Sequence, residues 1–326
     1  MVHPVIEQRN IAGRVEWWIQ SPVAAENFRQ KLFIPVASGP FGVLSVSGPL
    51  TLRATAASFP LLPGPPSQGP SPFLQYQTEH GGVTFQNPIL RIESGARFTA
   101  RLDNGLTEPT IIHWHGLHTP ARMDGHPGDT IAPGARYEYD FIVRNRGGTY
   151  WYHTHAHELT AKQAYNGLAS FFLVDDEDQR KLAKALDLKL GVTDLPLVIQ
   201  DKRFDALGHL VYQPDMHESM MGWLGDIVLA NLTPNAVHEV TPRTYRLRLL
   251  NASHFSAYSI GLSDGRPLLQ VGTGNGGGHV SYFQAMGFCL GHGGRTFTQT
   301  NSHINAGIFQ VARLSVALGT VTNDGN

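Results

Sequence analysis

From about residue 74 the chain is a succession of apolar runs of strand length: "VTFQNPILRIE", "ARFTARLDN", "TIIHWHGL", "YEYDFIV", "GTYWYHTH" and "GLASFFLVDD". Each run is closed by Gly, Pro, Asn or Asp, which is the rhythm of a β-sandwich. Thirty-five Gly, twenty-one Pro and only 16% charged residues suit many short segments broken by turns, so an all-β fold is expected rather than a helical one. The series pauses at "DDEDQRKLAKALDLKLGV", residues 175–192, a charged stretch that reads as a linker with a short helix. It resumes with "LPLVIQDKRF", "GDIVLAN", "TYRLRLLNAS" and "IFQVARLSVAL", enough for a second sandwich. The tract "GTGNGGGH", residues 272–279, is too glycine-rich for a regular strand and reads as a loop. Residues 1–73 have no clear period and end in "SFPLLPGPPSQGPSPF", where repeated proline favours an extended surface arm. The expected organisation is an irregular N-terminal segment over 1–73, a first sandwich over 74–176, a linker over 177–192 and a second sandwich over 193–326.

A chain of 326 residues is long enough for two cores. Its formal net charge of −1 provides no basic stripe to neutralise phosphates, so nucleic acid is not an expected partner, and small molecules or metals fit better. The N-terminus lacks a basic start followed by an apolar run, and no apolar run reaches the roughly eighteen residues that would cross a bilayer. The expectation is a soluble chain with no membrane partner, its compartment left open. A single cysteine, Cys289, excludes an internal disulfide framework and a Cys-rich zinc site.

Histidine is concentrated in "HWHGLHTPARMDGHP", residues 113–127, and "YWYHTHAH", residues 150–157. Residues i and i+2 of a strand share a face, so His113 and His115 project together, as do His153 and His155. Each pair is able to pinch one metal ion or straddle two. Imidazole suits copper, zinc, iron and nickel. One His-x-His pair alone is most simply a surface pair. Two pairs in aromatic strand sequence, beside Trp114 and Trp151, favour metal binding, because an apolar strand seldom carries imidazoles without partners for their nitrogens.

"TIIHWHGLHTPARMDGHPG", followed by "PGARYEYDFIV" and "GGTYWYHTHAHELTAKQAYNGLASFFLVDD", resembles the first domain of bacterial multicopper oxidases of the laccase and bilirubin-oxidase type. The resemblance continues through "LPLVIQDKRFDALGHLVY", "GDIVLAN" and "TPRTYRLRLLNAS", which look like that family's middle domain, and so covers roughly residues 76–273. It implies tandem cupredoxin-like Greek-key β-sandwiches and copper as cofactor. Carried over residue by residue, it makes His113 a type 2 copper ligand and His115, His153 and His155 type 3 ligands. Asp124 matches an acidic residue that assists proton delivery near the type 2 copper; an ordinary Asp-Gly turn is the equal alternative. The implied activity is a laccase-like oxidation of phenolic or similar small donors with dioxygen as acceptor.

The chain departs from that pattern in one respect. A complete trinuclear cluster in the family takes eight histidines, four of them from a third domain with His-x-x-His-x-His and His-Cys-His motifs, and neither motif occurs in these 326 residues. Cys289 lies between Phe288 and Leu290, so no type 1 copper site is identified, and a buried inert thiol is its expected role. A weaker alignment of "HINAGI", from His303, would put Thr298 at the thiolate position. The expectations are a shortened oxidase of reduced activity with an incomplete cluster, or a homo-oligomer in which a second copy completes the site. The alternative is a copper-binding protein with little turnover. A cupin-like iron or manganese enzyme is disfavoured because Gly116–Met123 holds no carboxylate. His118, His126 and His157 flank the clusters as outer or surface groups. His217 lies in "PDMHESMMGW", whose methionines are either packing groups or soft ligands for cuprous ion.

Overall fold

A computed structural model describes residues 30–62, 69–241, 243–260 and 268–273, and the backbone of strands at 5–11, 14–20, 286–290 and 311–314. In chain order the principal strands are β1 (Leu50–Phe59), β2 (Ser71–His80), β3 (Ile89–Glu93), β4 (Arg97–Asn104), β5 (Ile112–His115), β6 (Arg136–Ile142), β7 (Gly148–Thr154) and β8 (Ala169–Asp175), then β9 (Asp194–Phe204), β10 (Ile227–Ala230) and β11 (Tyr245–Asn251). Helix α1 (Thr160–Tyr165) follows β7, and α2 (Glu177–Ala185) occupies the charged stretch where a short helix is expected. Asp176 caps α2 by accepting a hydrogen bond from the Gln179 amide, which satisfies one of the helix's free N–H groups.

Two sheets face each other in the first sandwich. One runs β6-β4-β1-β2 and continues through Val83–Gln86 to Gly39–Pro40; the other runs β5-β7-β8-β3 to Val43–Ser45. Alternate residues point inward, and the core between them is aromatic: Trp114, Phe98, Tyr139, Phe141, Tyr152 and Phe172. Ring pairs such as Phe98–Trp114 (4.8 Å between centroids) and Trp114–Tyr139 (5.1 Å) meet edge to face, each contributing about 0.5–1.5 kcal/mol beyond its buried area.

The irregular N-terminal arm is a misreading that the structure corrects. β1 lies inside the six-stranded sheet, parallel to β4 and antiparallel to β2, with Leu50, Leu52 and Ala54 in the core. Its sequence, "LTLRATAASF", does alternate, but Ala and Thr at successive positions blunt the contrast between faces. The segment at Gln30–Lys31 pairs with Ala236–Val237, and Leu32 packs with the second core. Residues 63–68 of the proline tract, most of the glycine tract at 274–279, His303 and Thr298 lie outside the described residues, as does the side chain of Cys289.

A seven-stranded sheet forms the second layer system, with β10-β9-β11 at its centre and Leu195, Leu197, Leu247 and Leu249 facing its own core. Leu250 and Val198, on its other face, pack against Ile89, Phe171 and Trp151 on the outer face of the five-stranded sheet. Beside this apolar seam lies a buried ionic knot. Asp194 receives both Arg246 and Arg248, while Arg248 donates to Thr149 of β7 at 2.6 Å and Arg246 to Gln179 of α2 at 2.7 Å. Burial raises the affinity of the Asp194 carboxyl for a proton, but the Arg248 charge and the hydrogen bonds of both guanidinium groups outweigh it and hold the group below its ordinary value. A second buried contact joins β9 to α1, where the Lys202 ammonium donates to the Tyr165 carbonyl at the end of the helix and lies 4.3 Å from that ring's centre.

Two outcomes follow for stability. Asp194→Asn removes the counter-charge from two buried guanidinium groups and costs about 3–5 kcal/mol in chemical denaturation; a loss below about 1 kcal/mol refutes this account of the knot. Desolvation pushes the Lys202 amine down to about 7. The unfolded chain, with an ordinary lysine, binds one more proton than the folded chain above that value, so the wild type gains stability relative to Lys202→Met as pH rises from 7 to 9.5. Melting temperatures of the two proteins across that window check the sign, and a constant difference overturns it.

Candidate metal centre

β5 and β7 are antiparallel neighbours, and their register sets His113 directly opposite His153. Trp114 points into the core, so the pleat sends His113 and His115 to the opposite face, where His153 also emerges from β7. His155, just past the end of β7, is kept in line by its own amide, which donates to the Ile111 carbonyl at 3.0 Å. The rings of His113, His115, His153 and His155 pack together, with His113 5.1–5.4 Å from each of the other three. Nitrogen atoms of His113, His115 and His153 all lie within 4.8 Å of one another. Trp151 covers one side, stacked at 4.1 Å on His153 and 4.9 Å on His115.

Two of the rings are turned by a carbonyl on their far side. His113 donates from Nδ1 to the Asp124 carbonyl at 2.7 Å, leaving Nε2 for the cluster. His153 donates from Nδ1 to the Thr154 carbonyl at 2.7 Å, and its Nε2 lies 3.2 Å from Nδ1 of His115. That pair holds one proton between two nitrogens or, in exchange for it, a metal ion. Nδ1 of His155 is buried with no hydrogen-bond partner among the described residues. Desolvation, together with the neighbouring imidazoles, pushes His153 well below its ordinary value, and the same causes lower His155. Both rings are therefore held as neutral bases, the form that binds metal.

This donor set fits copper. Imidazole nitrogens 3.2 Å apart are within reach of one ion through bonds of about 2 Å, and a buried, unpartnered ring nitrogen has no other evident use. The four sequence-predicted ligands thus come together. Asp124 is beside them: its Oδ1 accepts from the Thr119 hydroxyl at 2.7 Å and lies 3.6 Å from His113 Nδ1. His118, His126, His157 and His217 are exposed and outside the group, and His126 caps the turn at Gly128 through its ring. Met216 (82% exposed) and Met220 (80% exposed) are surface residues, so the packing role expected of these methionines does not hold.

Three supporting residues escaped the sequence reading. Tyr139, reaching across from β6, accepts from the Ile112 amide and donates to the Ile112 carbonyl, both at 3.0 Å. Gln163 of α1, 0% exposed, bonds to Thr110 and Thr154. Gly125 has φ +74, and a Cβ there would stand 1.8 Å from the Ile112 carbonyl oxygen. Only the Asp-Gly turn signal at Gly125 was visible in advance.

Residues 81–179 match the family model described as multicopper oxidase. The chain is 33% identical over 264 residues, 76% of its length and 54% of the relative's, to the cell division protein FtsP of Photorhabdus laumondii. The crystal structure of the McoA multicopper oxidase from Aquifex aeolicus superposes with a TM-score of 0.61 at 39% identity, over 69% of this chain and 46% of that one. Residues 81–179 form a multicopper oxidase domain. A laccase from Pediococcus acidilactici, at 27% identity and TM-score 0.65, shares the architecture over 81% of this chain and 56% of its own. The chain spans about half the length of the curated relatives it matches. No helix among its described residues is long and apolar enough to cross a membrane.

Replacing Gly125 by Ala tests how closely the turn must approach β5. The left-handed backbone alone costs about 1–2 kcal/mol for a residue with a Cβ, and the clash with Ile112 displaces the strand that carries His113. A lower melting temperature and weaker cupric-ion binding are expected; wild-type values for both overturn the assignment.

Proposed function

We propose that this chain is a laccase-like, copper-dependent oxidoreductase that takes electrons from phenolic or similar small donors and delivers them to dioxygen. The observation that carries the reading is the convergence of four imidazoles, two from each of two neighbouring strand segments, on one face. His113 is assigned to the type 2 position and His115, His153 and His155 to the type 3 positions. Copper bound there would supply one-electron redox chemistry and a site for dioxygen. Further donors come from outside residues 113–155, a second copy of the chain being one source.

The protein's own groups prepare that site. The Asp124 carbonyl fixes the proton of His113 on Nδ1, and the Thr154 carbonyl does the same for His153, so each ring presents Nε2. Trp151 excludes water from one side of His115 and His153. The Asp124 carboxylate, partly exposed and held by Thr119, is placed to pass protons between solvent and the centre.

A second reading is a copper-binding protein with little turnover, and it is consistent with curated relatives that are named for cell division and not for an oxidase activity. Metal analysis with oxygen uptake on a phenolic donor separates the two. The wild type is expected to bind copper and consume oxygen, and His113→Ala to lose copper together with at least about tenfold of the uptake. Copper without uptake in the wild type establishes the second reading, and unchanged copper and uptake in His113→Ala removes the site assignment.

A further inference from the structure

Thr154 stands between the two histidines of its strand, and its carbonyl is the group that holds the His153 Nδ1 proton. Its hydroxyl donates to Oε1 of Gln163 at 2.6 Å, and the Thr110 hydroxyl donates to the same oxygen at 3.0 Å. The other end of the carboxamide donates from Nε2 to the Pro109 carbonyl at 2.8 Å. That carbonyl only accepts, which settles which end of the carboxamide is oxygen. Both lone pairs of Oε1 and one amide proton are thereby engaged in a place with no exposure to water.

Plain packing does not require this arrangement. Leucine or methionine at 163 with valine at 110 and 154 would fill the same volume without buried hydroxyls to satisfy, and such groups are costly when left unpaired. What the carboxamide does join is specific. Thr110 belongs to the segment that runs through Ile111, whose carbonyl receives the His155 amide, into His113. Thr154 separates His153 from His155. One side chain, from a helix that carries no ligand, ties the entry to one histidine strand to the exit of the other.

We propose that Gln163 is a positioning residue of the histidine centre: it fixes the Thr154 peptide so that its carbonyl keeps the His153 proton on Nδ1 and turns Nε2 toward His115. The role rests on the copper reading above for its purpose, but the proton's location is measurable in the metal-free protein. Outer partners of metal-bound histidines commonly tune affinity by about 10–100-fold.

The test compares wild type, Gln163→Met, Thr154→Val and Thr154→Ser by nitrogen NMR of the His153 ring without metal, by titration with cupric ion alone, and by circular dichroism. The wild type and Thr154→Ser, which keeps the hydroxyl, are expected to hold the proton on Nδ1. In Gln163→Met and Thr154→Val the proton distributes over both nitrogens, and cupric ion binds about 10–100-fold more weakly with the β signal intact. Retention of the Nδ1 proton and of wild-type affinity in both variants overturns the proposal. Should Gln163→Met fail to fold, the Val and Ser variants of Thr154 decide it, because they differ in a hydroxyl and little else at the hydrogen-bonded atom. Should the wild type bind no copper, the copper reading falls while the ring-proton comparison still decides the role of Gln163.

Discussion

The burial of Trp114 governs the site. Its indole packs against Phe98, Tyr139, Tyr152 and Phe172 with no exposure to solvent, and a strand that commits one residue inward must turn its neighbours outward. His113 and His115 therefore project from the outer face because the residue between them cannot leave the core. A one-residue slip would exchange the indole and the imidazoles, exposing a large apolar ring and burying two bases. The register opposite β7 is held by the same aromatic core, through Tyr152, whose hydroxyl donates to the Pro88 carbonyl at 2.8 Å. Ligand geometry is thus a by-product of ordinary hydrophobic packing, made specific by alternation.

Much of this was legible in the sequence, and the reason is period. Strands β4, β5 and β6 place core residues at alternate positions, and a His-x-His spacing on such a strand has one geometric meaning. Strand β1 was missed because Ala and Thr differ little in bulk between its faces. Gln163, Tyr139 and Gly125 were missed for a different reason: their partners, Thr154, Ile112 and the Ile112 carbonyl, are nine, twenty-seven and thirteen residues of chain away, and nothing local marks a contact that is made only after folding. The buried ionic knot belongs to the same class, since Asp194 meets arginines more than fifty residues later.

Likeness to the family and the chemistry of this chain are separate matters. The chain is similar in sequence to proteins named for cell division and in architecture to a laccase, and a scaffold alone does not determine turnover. What the structure shows is a face on which four imidazoles meet: carbonyls orient His113 and His153, Trp151 stacks on His115 and His153, and desolvation with neighbouring imidazoles lowers His153 and His155.

The phenol of Tyr139 has a consequence beyond the histidines. β5 is the outermost strand of its sheet, and its outward amide and carbonyl at Ile112 have no neighbouring strand to pair with beneath the turn at Gly125. By filling both with a single hydroxyl borrowed from the opposite sheet, the fold closes that border without adding a strand. At the metal-binding margin of the molecule the edge hydrogen bonds are thereby satisfied by a side chain already required by the core.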